Sequence, residues 1–447
     1  MDKLPSEILC EIFFRAVSIA TESYKLMPKC DRRTPLFISH VCRTWRDIAL
    51  SDGRLWSYLH INLSALRSAR KKNGLRIIFD TWIARSGTAP LNYTIGWDFE
   101  RASPSKEGVK CAVHIATTMI KERHRWADVD FLGALEYGCP EDRGPLRLTD
   151  MPMLTKIRLI YKSHRRLTFD LGRSPQLRRV ELYGNFAIAA SERSLRHLRE
   201  PSSLRFQGDY KAEDVVQSCQ NFLAIAPFLE ELHLDFEDRL RPSDPLGGYR
   251  PVYIGLRRLS LSPRYGPEVF VDNVVLPSLE ALHFACKAQE GGQKLLRFFE
   301  RSLPPLTHLS IRGDCAHEDF LIPCLGLLPA LKDLQVAWAS MSTRFFRELS
   351  VQGNEIGGIT CPLLEAFHLS VISCLEDPVA CAEALISMLE SRATITKTFE
   401  NVCILALRPS PTVHPSRLRE YDQEKRETFF TDLKVGQVQV PFSFRIW

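Results

Sequence analysis

One pattern returns along this chain and limits what it can fold into. Pro227, Leu229, Leu232 and Leu234 reappear as Pro277, Leu279, Leu282 and Phe284, then as Pro304, Leu306, Leu309 and Ile311, and again as Pro329, Leu331, Leu334 and Val336. Copies start at 152, 175, 193, 227, 254, 277, 304, 329 and 362, eight steps that average about 26 residues. The copies at Arg193 and Ile254 lack the proline. Each copy ends in alternation, as in Leu232-His233-Leu234-Asp235, the period of a strand with one buried face. The segments between copies space their apolar residues as helices do: Val215, Val216, Cys219, Phe222, Leu223 and Ile225 in one, Leu295, Leu296, Phe298 and Phe299 in another. Proline suits the junction, because it cannot continue a helix and biases its predecessor towards extended backbone. A unit this small cannot bury its apolar face alone, so neighbouring units must stack.

The predicted class is therefore α/β. Period and pattern resemble leucine-rich repeats, although the asparagine of the standard repeat is missing and the steps vary from 18 to 34 residues. The expectation is an irregular solenoid, with parallel strands on its concave face and helices on its convex face. Weaker copies near Pro90 and Trp126 extend it towards the N-terminus. Beyond a proline-rich link, Arg408–Pro415, the tail reads as a capping unit: a helix over Leu418, Tyr421, Phe429, Phe430 and Leu433, then a strand at Val438–Val440.

Composition narrows the function classes. The chain has 447 residues, 45% hydrophobic and 25% charged, which excludes a mainly disordered or collagen-like polymer. No apolar run reaches the ~18–20 residues that span a bilayer. The start, Met1 to Glu7, lacks the basic and then apolar order of a secretory signal. Thirteen cysteines, odd in number and scattered without a C-x-x-C pair, point to reduced thiols in the cytoplasm or nucleus rather than a disulfide framework or zinc ribbon. The net charge of +6 hides an asymmetry: residues up to Arg166 carry +10 and the remainder −4.

Residues before the repeats have a different period. Leu4, Ile8, Leu9, Ile12 and Phe13 recur at helical spacing after Pro5, a residue suited to a first helical turn. A second helical pattern runs from about Pro35 to Leu50, with Phe37, Val41, Cys42, Trp45 and Ile48 on its apolar side. Ser51-Asp52-Gly53 breaks it, and Leu55-Trp56 opens a third short piece. Some sixty residues of this kind bury little surface unaided. Apolar stripes at helical spacing are most simply core, and a small helical cap on the next domain is one reading of them.

Three anchors in order, Leu4-Pro5-Ser6-Glu7-Ile8-Leu9, Val41-Cys42-Arg43-Thr44-Trp45 and Leu55-Trp56, resemble the F-box. The resemblance implies a three-helix module that docks onto the Skp-type adaptor of a cullin–RING ubiquitin ligase. It carries adaptor binding over to Leu4, Pro5, Ile8, Leu9, Ile12, Phe13, Val41, Cys42, Trp45, Ile48, Leu55 and Trp56. One departure stands out: Ala16–Pro35, with Lys25, Lys29, Arg32 and Arg33, separates the first two helices by more residues than the family uses. It reads as an extended loop or an elongated first helix. The domains expected are 1–63 for the module, 64–407 for the repeats and 408–447 for the link and cap.

No chemistry-bearing motif accompanies this architecture. Neither a G-x-G-x-x-G nor a G-x-x-x-x-G-K phosphate loop occurs, and H-E-x-x-H and G-x-S-x-G are absent too. No cofactor is expected. Asp314-Cys315-Ala316-His317-Glu318-Asp319 is the densest set of metal-ligand types, but it follows a predicted strand, where a polar loop belongs. His233, His283 and His368 share one outward repeat position at two and three strand steps, ~10 and ~14 Å apart, too far to converge on one ion. Basic runs at Arg67–Arg76, Lys121–Arg125 and Arg165-Arg166 come without aromatic interleaving, so solvated helix faces explain them better than nucleic acid. As the resemblance implies, the chain is a non-catalytic substrate receptor: the module takes the adaptor and the repeats take a target protein. Outward positions Arg158, Glu181, Tyr183, His233, Asp235, His283, Arg312 and Gln335 are the target-binding candidates. A repeat scaffold without ligase function is the alternative.

Overall fold

Alternating residues become strands nearly everywhere the repeat ends. The computed structural model describes residues 4–24, 34–63, 69–96, 106–133, 147–161, 165–207, 210–236, 250–262, 266–288, 290–351, 359–370, 372–375, 378–393, 401–404, 407–409, 434–435 and 438–439. Two compact units divide the chain: Met1–Gly208 with Asn221–Phe228, and Asp209–Gln220 with Leu229–Trp447.

The first unit opens with α1 (Ser6–Tyr24), α2 (Thr34–Ser39), α3 (Arg43–Ser51) and a 3-10 turn at Gly53–Trp56. β1 (Tyr58–Asn62), α4 (Ala69–Ser86), β2 (Leu91–Gly96), α5 (Lys106–Lys121) and β3 (Trp126–Leu132) follow. Next come β4 (Arg147–Leu148), β5 (Lys156–Tyr161), β6 (Leu167–Phe169), β7 (Arg179–Gly184), β8 (Phe186–Ile188) and β9 (Ser202–Phe206). Parallel pairing runs β1-β2-β3-β5-β7-β9, and β4, β6 and β8 form a small parallel sheet of their own. The weak copies near Pro90 and Trp126 are thus strands β2 and β3.

The second unit includes the start of α6 (Ala212–Ile225), then β10 (Glu231–Phe236), β11 (Arg258–Leu261), α7 (Pro267–Asp272), β12 (Ala281–Ala285), α8 (Glu290–Ser302) and β13 (His308–Arg312). After these come α9 (Glu318–Gly326), β14 (Asp333–Ala337), β15 (Ser340–Met341), α10 (Thr343–Leu349), β16 (Ala366–Ser370), β17 (Ile372–Cys374) and α11 (Pro378–Ala393). β18 (Asn401–Ile404), β19 (Leu407–Pro409), β20 (Lys434–Val435) and β21 (Val438–Gln439) complete it. Strands β10-β11-β12-β13-β14-β16-β18 pair in parallel in that order.

Register explains why the order holds. Leu232, Leu259, Leu282, Leu309 and Leu334 are direct partners from strand to strand, each 2% exposed or less. Burying one such side chain stabilises by roughly 1.5–3 kcal/mol, and a slip of one residue would turn the whole row to the opposite face. Intervening helices supply the cover. In α8 the buried residues Leu295, Phe298 and Phe299 fall on one side, three and four positions apart.

Several expectations change. The copy at Arg193 is not a strand: Leu195 and Leu198 are buried in irregular chain, and the strand comes later, at Ser202–Phe206. Helices do not follow β5 and β7, because each connection is occupied instead by a short strand, β6 or β8. The second helix of the N-terminal module is two helices. Cys42, extended at φ −155° and ψ 174°, interrupts it, and its Sγ caps α3 by accepting the Trp45 N–H at 3.4 Å. α1 is the elongated first helix, while Lys25, Lys29, Arg32 and Arg33 lie outside the described residues. The capping helix over 418–433 also lies outside them; its strand is β21, antiparallel to β20.

Buried polar groups hold connections in place. Arg392, 1% exposed, donates to the carbonyls of Leu349, Cys361 and Thr360 at 2.7, 2.9 and 2.5 Å, tying the end of α11 to the end of α10 and to the segment before β16. Glu318 in the first turn of α9 is buried and accepts the backbone N–H and hydroxyl of Ser342, the residue that caps α10. Replacing Arg392 by leucine strands three carbonyls in the core and is expected to cost about 3 kcal/mol, read as a lowered thermal midpoint. At Gly53 an added Cβ would stand 2.7 Å from the Ser86 carbonyl oxygen. Gly53→Val is therefore expected to destabilise the first unit by about 1–3 kcal/mol, whereas Gly74→Ala, where nothing lies within 4 Å, should leave its midpoint unchanged or raised.

Candidate functional site

Two surfaces merit a functional reading, one in each unit. The first is on the N-terminal module. Pro5 accepts the N–H groups of Ile8 and Leu9 at 3.1 and 3.2 Å, which starts α1 immediately after it. The helix then carries two adjacent apolar stripes. Leu9, Phe13 and Val17 are 6, 3 and 4% exposed and face the module's interior. Ile8 and Ile12, with Leu4 one turn earlier, are 48, 47 and 47% exposed.

The interior is built on tryptophans. Phe13 packs on Trp45 with ring centres 4.7 Å apart. Trp56 is fully buried; its Nε1–H donates to the Ala49 carbonyl at 2.6 Å, Trp82 of α4 meets it edge-on at 4.7 Å, and the Arg85 guanidinium lies 4.3 Å from its ring. Leu55 and Ile48 complete this core. The twelve adaptor-binding candidates therefore divide. Leu9, Phe13, Ile48, Leu55 and Trp56 are buried, and Trp45 is half-buried. Leu4, Pro5, Ile8, Ile12, Val41 and Cys42 are exposed. Exposed Phe37 belongs with them; its helical spacing placed it on the apolar side of its helix, where core and surface look alike in sequence. Beside this face, Asp52 holds Arg54 at 2.8 Å and its hydrogen bond raises the guanidinium pKa further, while Cys10 is pushed up by burial and then by Asp52.

The second surface is the polar side of the strands in the second unit. Register sets His233, Ser260, His283, Ser310, Gln335 and His368 in one row, one residue per strand. Glu231, Arg258, Ala281, His308 and Asp333 make a parallel row two residues earlier. A groove of about 300 Å³ lies between the rows over β10 to β14. Glu231 is engaged on both sides, by His233 Nε2 at 2.9 Å and by Arg258 Nε at 2.8 Å. His283 Nδ1 lies 2.9 Å from the Ser310 hydroxyl, and burial, then Arg312 and His233, lower its pKa from the ordinary histidine value. Asp333 accepts from the Gln335 amide at Oδ2, 3.2 Å away, whereas its Oδ1 is buried without a hydrogen bond.

Of the target-binding candidates, His233, His283 and Gln335 line this groove. Asp235 and Arg312 lie further along their strands, Arg312 in register with Ala285 and Ala337. Arg158, Glu181 and Tyr183 belong to the first unit and are engaged there. Arg158 bridges Asp130 and Glu181 at 3.7 and 3.3 Å, Glu181 also holds Arg179 at 2.7 Å, and the Arg205 guanidinium covers the Tyr183 ring at 5.3 Å. Burial holds the Asp130 carboxyl above the usual range despite Arg158 and Lys156. Ser260, Ser310, His308 and Asp333 are groove residues absent from the sequence-based set. The signal was available: every member of the middle row stands six residues after its repeat start.

The clusters at 121–125 and 314–319 are structural, while Arg67 of the first basic run lies outside the described residues. Arg125 is buried and donates to the Ser86 hydroxyl and Ala89 carbonyl at 2.7 and 2.9 Å, and Arg123 donates to the carbonyls of Thr149 and Ile120. Neither is the solvated helix face expected of that run. In the 314–319 segment, Glu318 turns inward to Ser342, Cys315 is buried and His317 caps α9, accepting the Asp319 N–H at 3.4 Å. Among the described residues no three metal-ligand types gather, and no helix is long and apolar enough to cross a membrane.

The module matches a known family. A family model described as F-box-like covers residues 1–62, the stretch that ends with β1. No curated protein is similar to the chain at a significant level. Adaptor binding in ligases of the SCF type is what an F-box-like domain suggests, and proteins with it are generally non-catalytic receptors. Over these first 62 residues, where the three sequence anchors, the buried tryptophan and the match coincide, the chain carries an F-box-like domain.

Proposed function

We propose that the chain is the substrate-recognition subunit of an SCF-type cullin–RING ubiquitin ligase. The module, residues 1–63, docks onto a Skp-type adaptor. A repeat domain over 64–407, a leucine-rich-repeat-like solenoid closed by 408–447, presents a target protein on the polar side of its strands. The protein performs no bond chemistry of its own. It holds the target near a ubiquitin-loaded enzyme, and proximity accelerates the transfer. It works in the cytoplasm or nucleus, where ten described free cysteines stay reduced.

One observation carries the adaptor half of this reading: α1 is apolar on two adjacent stripes, and the module covers only one of them. Leu4, Ile8 and Ile12, each about half-exposed, and Val41, 61% exposed, leave apolar side chains on the module for a partner to cover. Support for the repeat half comes from the parallel strand order and from the constant six-residue offset of the polar row.

Co-purification of the intact chain with recombinant Skp-type adaptor tests the proposal. Ile8→Asp with Ile12→Asp should weaken adaptor binding by about 2–4 kcal/mol while the thermal midpoint stays within a degree or two of the parent. Phe13→Ala, in the covered stripe, should instead lower the midpoint by the equivalent of about 3–5 kcal/mol and lose binding through unfolding of the module. If the intact chain captures no adaptor, it is a repeat scaffold without ligase function.

A further inference from the structure

The groove in the second unit has a chemistry more specific than a general binding face. Its lining is rich in acceptors, one of them a carboxylate oxygen that no donor reaches. Asp333 Oδ1 is shielded from solvent, makes no hydrogen bond, and has His368 Nε2 as its ion-pair neighbour at 3.9 Å, beyond hydrogen-bond reach. The Gln335 amide donates to the other oxygen of Asp333, so its carbonyl is left as an acceptor. Ser260 adds a hydroxyl, and His283 and His308 each have one ring nitrogen taken by a hydroxyl, of Ser310 and Thr307, leaving the other for a guest.

Charge has the same sense. Two carboxylates and one guanidinium line the groove, and the guanidinium, Arg258, is already held by Glu231. What remains is Asp333, which takes the Gln335 amide at Oδ2 and has His368 only at 3.9 Å from Oδ1. A buried carboxylate oxygen without a donor is costly to leave unpaired, more so than a neutral acceptor. Between the rows the floor is strand backbone and the methyl of Ala281, because the side chains of Leu259, Leu282 and Leu309 turn to the opposite, buried face. A guest that fits has an apolar stem to lie on that floor and a donor-rich cationic head to reach Asp333.

We infer that the groove receives an arginine side chain from an extended segment of the target polypeptide. This rests on the reading of the strand face as target-binding, and names what that face selects. The guanidinium brings five N–H donors in a planar fork and no acceptor, matching acceptors on Asp333, Gln335 and the serine hydroxyls; its three methylenes lie along the Ala281 methyl and the strand backbone. A volume of about 300 Å³ sits at the small end of ligand pockets, enough for one long side chain. A carboxylate guest would meet Asp333 with no free cation in the lining to offset it.

The test compares three pentapeptides, glycine at every position except the third, which is arginine, citrulline or glutamate. Ligand-observed NMR at millimolar concentration with the intact chain reads their affinities. Citrulline keeps the shape of arginine and removes the charge. The arginine peptide should bind about tenfold more tightly than the citrulline peptide, and Asp333→Asn should reduce that preference to about twofold or less. Asp319→Asn, an exposed carboxylate outside the lining, should leave it unchanged. Equal binding of arginine and citrulline, or tighter binding of glutamate, overturns the arginine assignment while leaving the strand face a peptide site. An arginine preference that survives Asp333→Asn overturns the assigned recognition group. Absence of binding by all three peptides removes the groove as a peptide site and overturns the arginine assignment, whereas target binding elsewhere on the strand face and adaptor capture stand or fall separately.

Discussion

The strand-to-strand row of leucines is the constraint on which the second unit depends. Leu232, Leu259, Leu282, Leu309 and Leu334 pair directly, so the five strands share one register. A strand has two faces, and fixing the buried one fixes the other. The polar row from His233 to His368 is thus a by-product of where leucines must go. No interaction among the polar residues is needed to align them, and they are left available for chemistry that does not serve folding.

In the N-terminal module a single helix answers to two demands. Its inner stripe must pack on Trp45 and its neighbours, and its outer stripe remains half-exposed. Hydrophobicity alone does not separate these stripes, because Ile8 and Leu9 are chemically alike and adjacent. Their positions around α1, 100° apart, decide which is core. The same ambiguity covered Trp45 and Trp56, of which only the second is fully enclosed.

Repeat period and leucine spacing made the strands legible, and the anchors from Leu4 to Trp56 made the module legible. What escaped was set by local backbone or by distant neighbours. Nothing in the residue types around Cys42 announces the extended conformation that splits α2 from α3, since a cysteine rarely caps a helix. The copy at Arg193 has buried leucines without a strand, because burial and strand pairing are separate conditions. β18 begins no Pro-x-Leu pattern, so the repeat gives no sign of it. The basic residues Arg123 and Arg125 looked like surface charge, yet their partners, Thr149, Ser86 and Ala89, are up to 39 positions away in the chain. Groove residues were only partly legible: the histidines drew notice by type, while Ser260, Ser310 and Asp333 matter through what stands beside them.

The contact of Trp56 with Trp82 and Arg85 has a consequence for how this protein can be taken apart. The family match ends at residue 62, but the indole at the centre of the module is completed by a helix that begins at Ala69. Sequence family and physical unit do not share a boundary. A fragment cut at the edge of the match would present a naked indole face and a carbonyl-sized notch at Gly53 to solvent. A graft of these residues onto another receptor would need α4 to travel with them. For this chain the smallest transplantable handle is the module together with α4, and any chimera designed from the family boundary alone begins with a wound in its core.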